Sequence, residues 1–299
     1  MLKSILWKIY QNVFRLCERL GIHITPVHFY MPIPDTSKLN DELWEKHSEL
    51  VGIKMNEERQ LELLSVFSKN FKEEYEKFPK EETDVPYRFY LNNRKFESVD
   101  AEVLYSMIRY FKPEKIIEIG AGYSTFLSAQ AILKNEEEDA NYRCELVSID
   151  PYPNEILKRG FPGFAGLIEK NVQDVPWDVF KQLKKNDILF IDSSHVLKIG
   201  SDVQYIYLEI LPRLNEGVLI HIHDIFFPAE YPKKWVIEGL RFWNEQYLVQ
   251  AFLSFNNRFE ILWAGSYMHL KHSDKLESSF PSYNKETVWP GSLWIRRVN

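Results

Sequence analysis

The chain of 299 residues is long enough for one large domain or two small ones, and its 45% hydrophobic content can form a sizeable core. Its formal net charge of −6 argues against a broad phosphate-binding surface, so we expect no nucleic-acid partner. Cys17 and Cys144 suit neither a disulfide framework nor a metal site, which favours a cytoplasmic protein with reduced thiols.

Residues 1–20 have the spacing of an amphipathic helix with basic side chains. Charges interrupt its apolar residues and no small-residue cleavage site follows, so we do not interpret it as a secretory signal. Amphipathicity alone favours a helix that packs on its own domain or on a second copy of the chain, as in a homo-oligomer. Peripheral contact with an anionic membrane is the open alternative.

The chain divides near residue 98. Residues 1–97 are predicted to form a helical extension, with one helix over residues 57–78. An extended loop over residues 24–35 contains TPVHFYMPIPD, in which prolines and aromatic residues disfavour a helix. Residues 98–299 are predicted to form the second domain.

The second domain alternates strand and helix patterns. Apolar runs predict strands at residues 115–120, 144–150, 165–170, 187–192, 217–224, 259–265 and 292–298. Helices are predicted at residues 101–111, 124–133, 203–214 and from 233 to about 255. This alternation predicts an α/β fold with a parallel sheet, and the last two strands, with no convincing helix between them, indicate an antiparallel finish. Such a sheet binds its ligand at the carboxyl ends of its strands.

The first strand ends in the segment Glu118-Ile119-Gly120-Ala121-Gly122-Tyr123-Ser124-Thr125. Two glycines one residue apart allow a tight turn and a close approach to a ligand, here between a strand and a helix. A dinucleotide fingerprint would have a third glycine where Thr125 stands. An acidic Glu118 would repel a pyrophosphate but attract an ammonium group, so the segment favours S-adenosylmethionine.

Two further acidic residues follow the next strands. Asp150 ends the second strand, where a carboxylate can accept hydrogen bonds from both hydroxyls of a ribose. Asp174 follows the third strand in the polar segment 171–174, where a side chain could meet the adenine amino group.

The motifs IIEIGAGYST, LVSIDPYP, DILFIDSSH and LPRLNEGVLIHIHD occur in this order, and with them the chain resembles the class I S-adenosylmethionine-dependent methyltransferases. The branch that it resembles contains bacterial macrolide and sugar O-methyltransferases. The resemblance implies a Rossmann-like, doubly wound, mostly parallel seven-stranded sheet with an antiparallel last strand. It also implies cofactor contacts from Glu118, Gly120, Gly122, Tyr123, Ser124, Asp150 and Asp174.

Asp192 and Asp224 follow neighbouring strands and would face one crevice, with His195 three residues after the first. Carboxylates suit Mg²⁺, which would lower the pKa of an acceptor hydroxyl. In metal-dependent relatives these two positions ligate the metal, with a third acidic or amide ligand beside the second. Here His223 and Ile225 flank Asp224, which departs from that pattern. His195 is then either a residue beside the metal or, without metal, the base.

We therefore expect an O-methyltransferase that acts on a small polar acceptor, such as a sugar or glycan precursor. Three alternatives remain open. The first is a metal-independent N- or O-methyltransferase with His195 as base. The others are a nicotinamide-dependent oxidoreductase and a non-catalytic binding subunit with a methyltransferase-like fold.

Overall fold

The structure, a computed structural model, describes residues 2–298, with side chains described from residue 7 onward. Its strands are β1 (Lys115–Ile119), β2 (Glu145–Ile149), β3 (Gly166–Ile168), β4 (Ile188–Ile191), β5 (Leu219–Ile222), β6 (Phe259–Ala264) and β7 (Leu293–Arg297). They form one sheet in the order β3-β2-β1-β4-β5-β7-β6. Strands β1 to β5 pair in parallel, whereas β7 lies antiparallel between β5 and β6. The predicted sheet, with its antiparallel last strand, is confirmed.

The helices are α1 (Leu2–Arg19), α2 (Glu42–Glu45), α3 (Glu57–Tyr75), α4 (Asp100–Phe111), α5 (Tyr123–Glu138), α6 (Glu155–Arg159), α7 (Trp177–Phe180), α8 (Asp202–Tyr205), α9 (Lys233–Ile237), α10 (Glu245–Leu253), α11 (Gly265–Lys271) and α12 (Ser273–Ser279). Helix α8 continues as a π turn over Ile206–Ile210 and a 3-10 turn over Leu211–Arg213. The pattern predicted from residue 233 to about 255 forms two helices, α9 and α10.

The prediction that no helix separates the last two strands is wrong, because α11 and α12 lie between β6 and β7. Each has only seven residues, too few for a helical period to stand out in the sequence. Tertiary packing stabilises them instead: Leu276 is buried in the core, and the Tyr75 hydroxyl of α3 donates to the Ser279 carbonyl at 2.9 Å.

The sheet is covered on both faces, which explains why its inner strands are mostly apolar. Side chains of a strand alternate between faces, so Ile116 joins the core on one side and Ile117 the core on the other. The first core also contains residues of α3, α4 and α5, while the second contains residues of the α8 segment and α10.

The described chain forms two compact units. The larger consists of residues 46–231 and 243–298 and contains the sheet. The smaller consists of residues 2–45 and 232–242, and within it Lys233 pairs with Asp41 and lies over the Trp44 ring. The residues between 46 and 97 belong to the larger unit, and the predicted domain boundary near residue 98 stays a prediction.

Helix α4 begins with two buried acidic side chains that hold distant segments. The Asp100 carboxylate accepts the backbone N–H groups of Gly291 and Ser292, each at 2.9 Å. Glu102 accepts the Val99 N–H at 2.6 Å and a hydrogen bond from the Ser282 hydroxyl. Burial raises the pKa of Asp100 and raises the pKa of Glu102 to about 7, although these hydrogen bonds act in the opposite direction.

We expect Glu102→Gln to reduce the pH dependence of stability. A carboxyl group whose pKa is raised by folding stabilises the protein at low pH, and this contribution is lost as pH rises through the folded pKa near 7. Glutamine can accept from Val99 and donate to Ser282 without titrating. Between pH 5 and pH 8.5 the free energy of unfolding of the native chain should fall relative to that of the variant by up to about 3 kcal/mol. Urea unfolding followed by tryptophan fluorescence measures it, and a difference that does not change with pH would contradict the assignment.

Candidate functional site

The glycine turn after β1 lies directly against the end of β4. Gly120 has a positive φ of +83°, and a Cβ atom there would stand 1.8 Å from the Asp192 carbonyl oxygen. A side chain is therefore excluded for both conformational and steric reasons. At Gly122, by contrast, a Cβ atom would have no atom within 4 Å, so open space lies beside this residue.

The Glu118 carboxylate lies beneath this turn and is buried. It accepts hydrogen bonds from the hydroxyls of Ser124, Thr125 and Ser148 at 2.7, 2.6 and 2.6 Å. Burial raises the pKa of Glu118 to about 7, although the three hydroxyl donors act to lower it. The Thr125 hydroxyl also accepts the Gly122 N–H at 2.9 Å, so the network joins the start of α5 to β1 and β2.

This network changes the meaning of two sequence features. Thr125, which stands where a dinucleotide fingerprint has its third glycine and which the sequence indicates as a cap of the following helix, binds both the Gly122 N–H and Glu118. Ser148 carries no signal in the sequence that links it to Glu118. The expected contact between Glu118 and an ammonium group stays a prediction, since the contacts found for this carboxylate come from hydroxyls of the protein.

Asp150 is brought to the same turn. One carboxylate oxygen accepts the Ala121 N–H at 3.0 Å, and the other accepts the Tyr152 N–H at 2.7 Å. Tyr123 follows the turn, with its phenol oxygen 3.0 Å from that of Tyr90. Asp174 is exposed and accepts the Asn171 amide at 3.1 Å. The cofactor roles predicted for these side chains stay predictions.

Asp192, His195 and Asp224 converge at the ends of β4 and β5. His195 Nε2 lies 3.2 Å from an Asp192 oxygen and 3.5 Å from an Asp224 oxygen. One potential ligand atom from each residue lies within 4.8 Å of the other two. His195 and Asp224 both have a positive φ, of 58° and 57°, a strained backbone conformation that often occurs at functional sites.

The other ring nitrogen of His195 is held by Glu245 of helix α10. Nδ1 lies 2.9 Å from one Glu245 oxygen, and the Tyr207 hydroxyl donates to the other at 3.0 Å. Glu245 is completely buried. Sequence reasoning missed it because Glu245 lies inside the helical pattern predicted from residue 233 to about 255, where an acidic residue is usually solvent-exposed, and the sequence contains no signal that pairs it with His195.

The charged side chains of this group lie close enough to shift one another's pKa values. Burial lowers the pKa of His195, but hydrogen bonds with Asp192 and Glu245 and their negative charges raise it well above the usual value. Burial raises the pKa of Asp192, but the positive charge of His223 and the bond with His195 outweigh this and lower it to about 2. Burial raises the pKa of Asp224, against the opposing effect of the two imidazoles.

The two histidines of β5 differ in their surroundings. His221 is buried against the Phe190 ring, with Nε2 2.9 Å from the Ser292 hydroxyl, as expected of a core residue. His223 packs against Phe96, and its Nε2 lies 3.6 Å from an Asp224 oxygen. His223 therefore acts on the acidic group mainly through its charge.

Three comparisons with known proteins bear on the family of this chain. The sequence model of a family described as "Methyltransferase domain" matches residues 117–225. An uncharacterised protein of Archaeoglobus fulgidus is 31% identical over 178 residues, which are 57% of this chain and 78% of that protein. A solved structure described as "CmcI-N160 apo-structure" aligns with 67% of this chain and 71% of its own at 16% identity, with a TM-score of 0.35.

The two glycines of the turn should respond differently to alanine. Gly120→Ala forces a Cβ onto the Asp192 carbonyl at a positive φ, so we expect a loss of at least about 2 kcal/mol of unfolding free energy. Gly122→Ala meets no atom, and its φ of −176° is open to any residue, so we expect a change within about 0.5 kcal/mol. Urea unfolding of both variants measures the effects. Equal losses would show that the close approach at Gly120 is not the cause.

Proposed function

The chain belongs to the class I S-adenosylmethionine-dependent methyltransferases, and we propose that it methylates a hydroxyl group of a small polar acceptor with the help of a divalent cation. The observation on which the proposal rests is the convergence of Asp192, His195 and Asp224 directly beside the glycine turn. Proximity matters because the acceptor oxygen has to be aligned with the methyl group for an in-line displacement.

The cofactor side of the proposal rests on the turn and on Asp150. S-adenosylmethionine supplies a methyl group on a positively charged sulfur. The open space beside Gly122 lets a ligand approach the backbone closely. Asp150 uses one lone pair of each oxygen on the chain's own N–H groups, which leaves acceptor capacity for ribose hydroxyls. Glu118 then holds the turn in shape from beneath.

The cation side rests on the donor set. Two carboxylates and one imidazole nitrogen are common ligands of divalent ions in proteins, and here they already face a common point. The Glu245 carboxylate holds the Nδ1 side of the imidazole, so Nε2 faces the two carboxylates, and a cation bound there would take the place of the Nε2 proton. A divalent cation held by the three residues would lower the pKa of an acceptor hydroxyl bound to it.

The imidazole nitrogen of His195, if it is a ligand, affects which divalent ion the site prefers. The sequence suggested Mg²⁺ on Asp192 and Asp224 alone, whereas an imidazole ligand also suits Mn²⁺, Fe²⁺ or Zn²⁺. We therefore propose a site of mixed oxygen and nitrogen ligands, with His195 as the third ligand. The overall reaction moves the methyl group to the acceptor oxygen, releases the hydroxyl proton and leaves S-adenosylhomocysteine. The acceptor class, a sugar or glycan precursor, and a cytoplasmic location are proposed from the sequence resemblance and the two free cysteines.

We predict that Asp150→Asn weakens the binding of S-adenosylhomocysteine. An amide has only one oxygen acceptor, so the contact with Ala121 or the ribose contacts are lost, at about 1.5–3 kcal/mol, or roughly 10- to 150-fold in Kd. Asp139→Asn is the matched control, because Asp139 likewise accepts the N–H two residues on but lies at the end of α5. Isothermal calorimetry measures both. Unchanged affinity in the Asp150 variant would remove it from the cofactor site.

We predict that the folded chain binds Mn²⁺ or Co²⁺ and that Asp192→Ala and His195→Ala each reduce this affinity at least about 100-fold. Glu245→Gln, which no longer provides a carboxylate for His195 Nδ1, should reduce it about 10- to 100-fold. The exposed Asp178 on α7 provides the control, since Asp178→Ala should bind normally. Calorimetry and the visible spectrum of Co²⁺ give readouts that are independent of turnover.

Chelation distinguishes this proposal from its alternative. With a cation site, EDTA should abolish methyl transfer to a true acceptor and the added ion should restore it. If EDTA does not change the rate of methyl transfer and no ion binding is detected, the results would instead support a metal-independent enzyme. In that enzyme His195 accepts the proton of the acceptor hydroxyl.

A further inference from the structure

Helix α1 and the turn after it present a row of exposed apolar side chains. Ile9, Val13, Leu16 and Leu20 follow one another at intervals of four, three and four residues, so they share one face of a helix. Their exposed fractions are 54, 44, 60 and 71%. We name these four residues the exposed stripe. Soluble proteins rarely leave such a continuous apolar row in water, so the exposed stripe indicates a contact surface.

A row of positive charge runs beside the exposed stripe. Lys8, Arg15 and Arg19 each precede one of its residues and are themselves exposed. Among the side chains from residue 7 to 298, none of these three forms an ion pair, and the first turn of α1 has no acidic residue. The chain as a whole has a net charge of −6, so this basic row is a local reversal of its charge.

The same compact unit exposes further apolar groups that suit a membrane interface. Phe29 and Tyr30 have exposed fractions of 81 and 80%, and their rings contact each other and His28. Trp7 is also more than half exposed. Aromatic rings of this kind are favoured at the level of lipid headgroups.

From these observations we propose that α1 binds the surface of an anionic membrane, with the exposed stripe inserted among the acyl chains and the basic row at the phosphates. A second copy of the chain fits less well. If two copies paired through the same stripe with their α1 helices antiparallel, two-fold symmetry would place their rows of Lys8, Arg15 and Arg19 on the same side, where they would repel. An anionic bilayer neutralises the same charges. Within residues 2–298 no helix is long and apolar enough to cross a membrane.

Vesicle flotation of the full-length chain tests the proposal. The protein should float with vesicles of phosphatidylcholine and phosphatidylglycerol at low salt. Binding should fall when NaCl is raised, because salt screens the charges. It should also be at least tenfold weaker on vesicles of phosphatidylcholine alone. No flotation on the anionic vesicles would overturn the proposal.

Two sets of variants locate the contact. Combined Ile9→Ser, Val13→Ser and Leu16→Ser should reduce binding at least tenfold, and so should combined Lys8→Glu, Arg15→Glu and Arg19→Glu. The matched control replaces three exposed apolar residues of the larger unit, through the combined changes Val51→Ser, Leu133→Ser and Leu208→Ser. The control should float like the native chain. Equal flotation of all variants would overturn the assignment to α1.

Sedimentation velocity distinguishes the competing occupant. A dimer of the native chain that dissociates in the serine variant, without any vesicle binding, would overturn the membrane proposal in favour of a second copy. All altered residues are exposed, so the melting temperature of each variant, followed by circular dichroism, should stay within a few degrees of the native value.

Discussion

The close approach of the glycine turn to β4 is the constraint on which the candidate site depends. Strands β1 and β4 are parallel neighbours, so the turn after one and Asp192 after the other leave the sheet at the same edge. They can touch only because Gly120 has no side chain to meet the Asp192 carbonyl. A bulkier residue would separate the proposed methyl donor from the acidic group. An error of about 1 Å in such an alignment is enough to slow catalysis about 100-fold.

The second constraint is that the charges of the His195 group must be stabilised although these side chains are largely buried. An unpaired buried ion costs several kcal/mol, and His195 is surrounded by the carboxylates of Asp192, Asp224 and Glu245. Helix α10 and the residue before it contact His195 in two ways. The Glu245 side chain binds the imidazole, while the backbone N–H groups of Asn244 and Glu245 both donate to the His195 carbonyl at 3.1 and 3.2 Å. Both the backbone and the ring of His195 are therefore fixed, despite its strained φ.

The sequence predicts the structure best where the residues of a single short segment are enough to indicate its secondary structure. Each strand is a short, mainly apolar run that can be recognised from its own residues, which is why all seven were predicted within a few residues. The residues directly after β4 and β5 were found by the same reasoning, since parallel strands place their carboxyl ends together. The partners of these residues were missed because they are distant in sequence. Glu245 is 50 residues from His195, and no local pattern links them. Helices α11 and α12 depend on contacts with α3 in the same way.

The acidic group is assembled from residues that are far apart in the sequence, and each of its three side chains has its own support. Asp192 is held by the β1 turn and His195 by α10. Asp224 is supported from the start of β7, where Ile225 donates to the Gly291 carbonyl at 2.8 Å and a Cβ at Gly291 would lie 3.2 Å from the Asp224 Cα. Asp100 of α4 in turn holds Gly291 through its N–H. Each of these supports is anchored to a strand or helix of the fold, so the convergence of the three side chains follows from the protein's own contacts. If the group binds the proposed cation, a site preformed in this way would lower the entropic cost of binding.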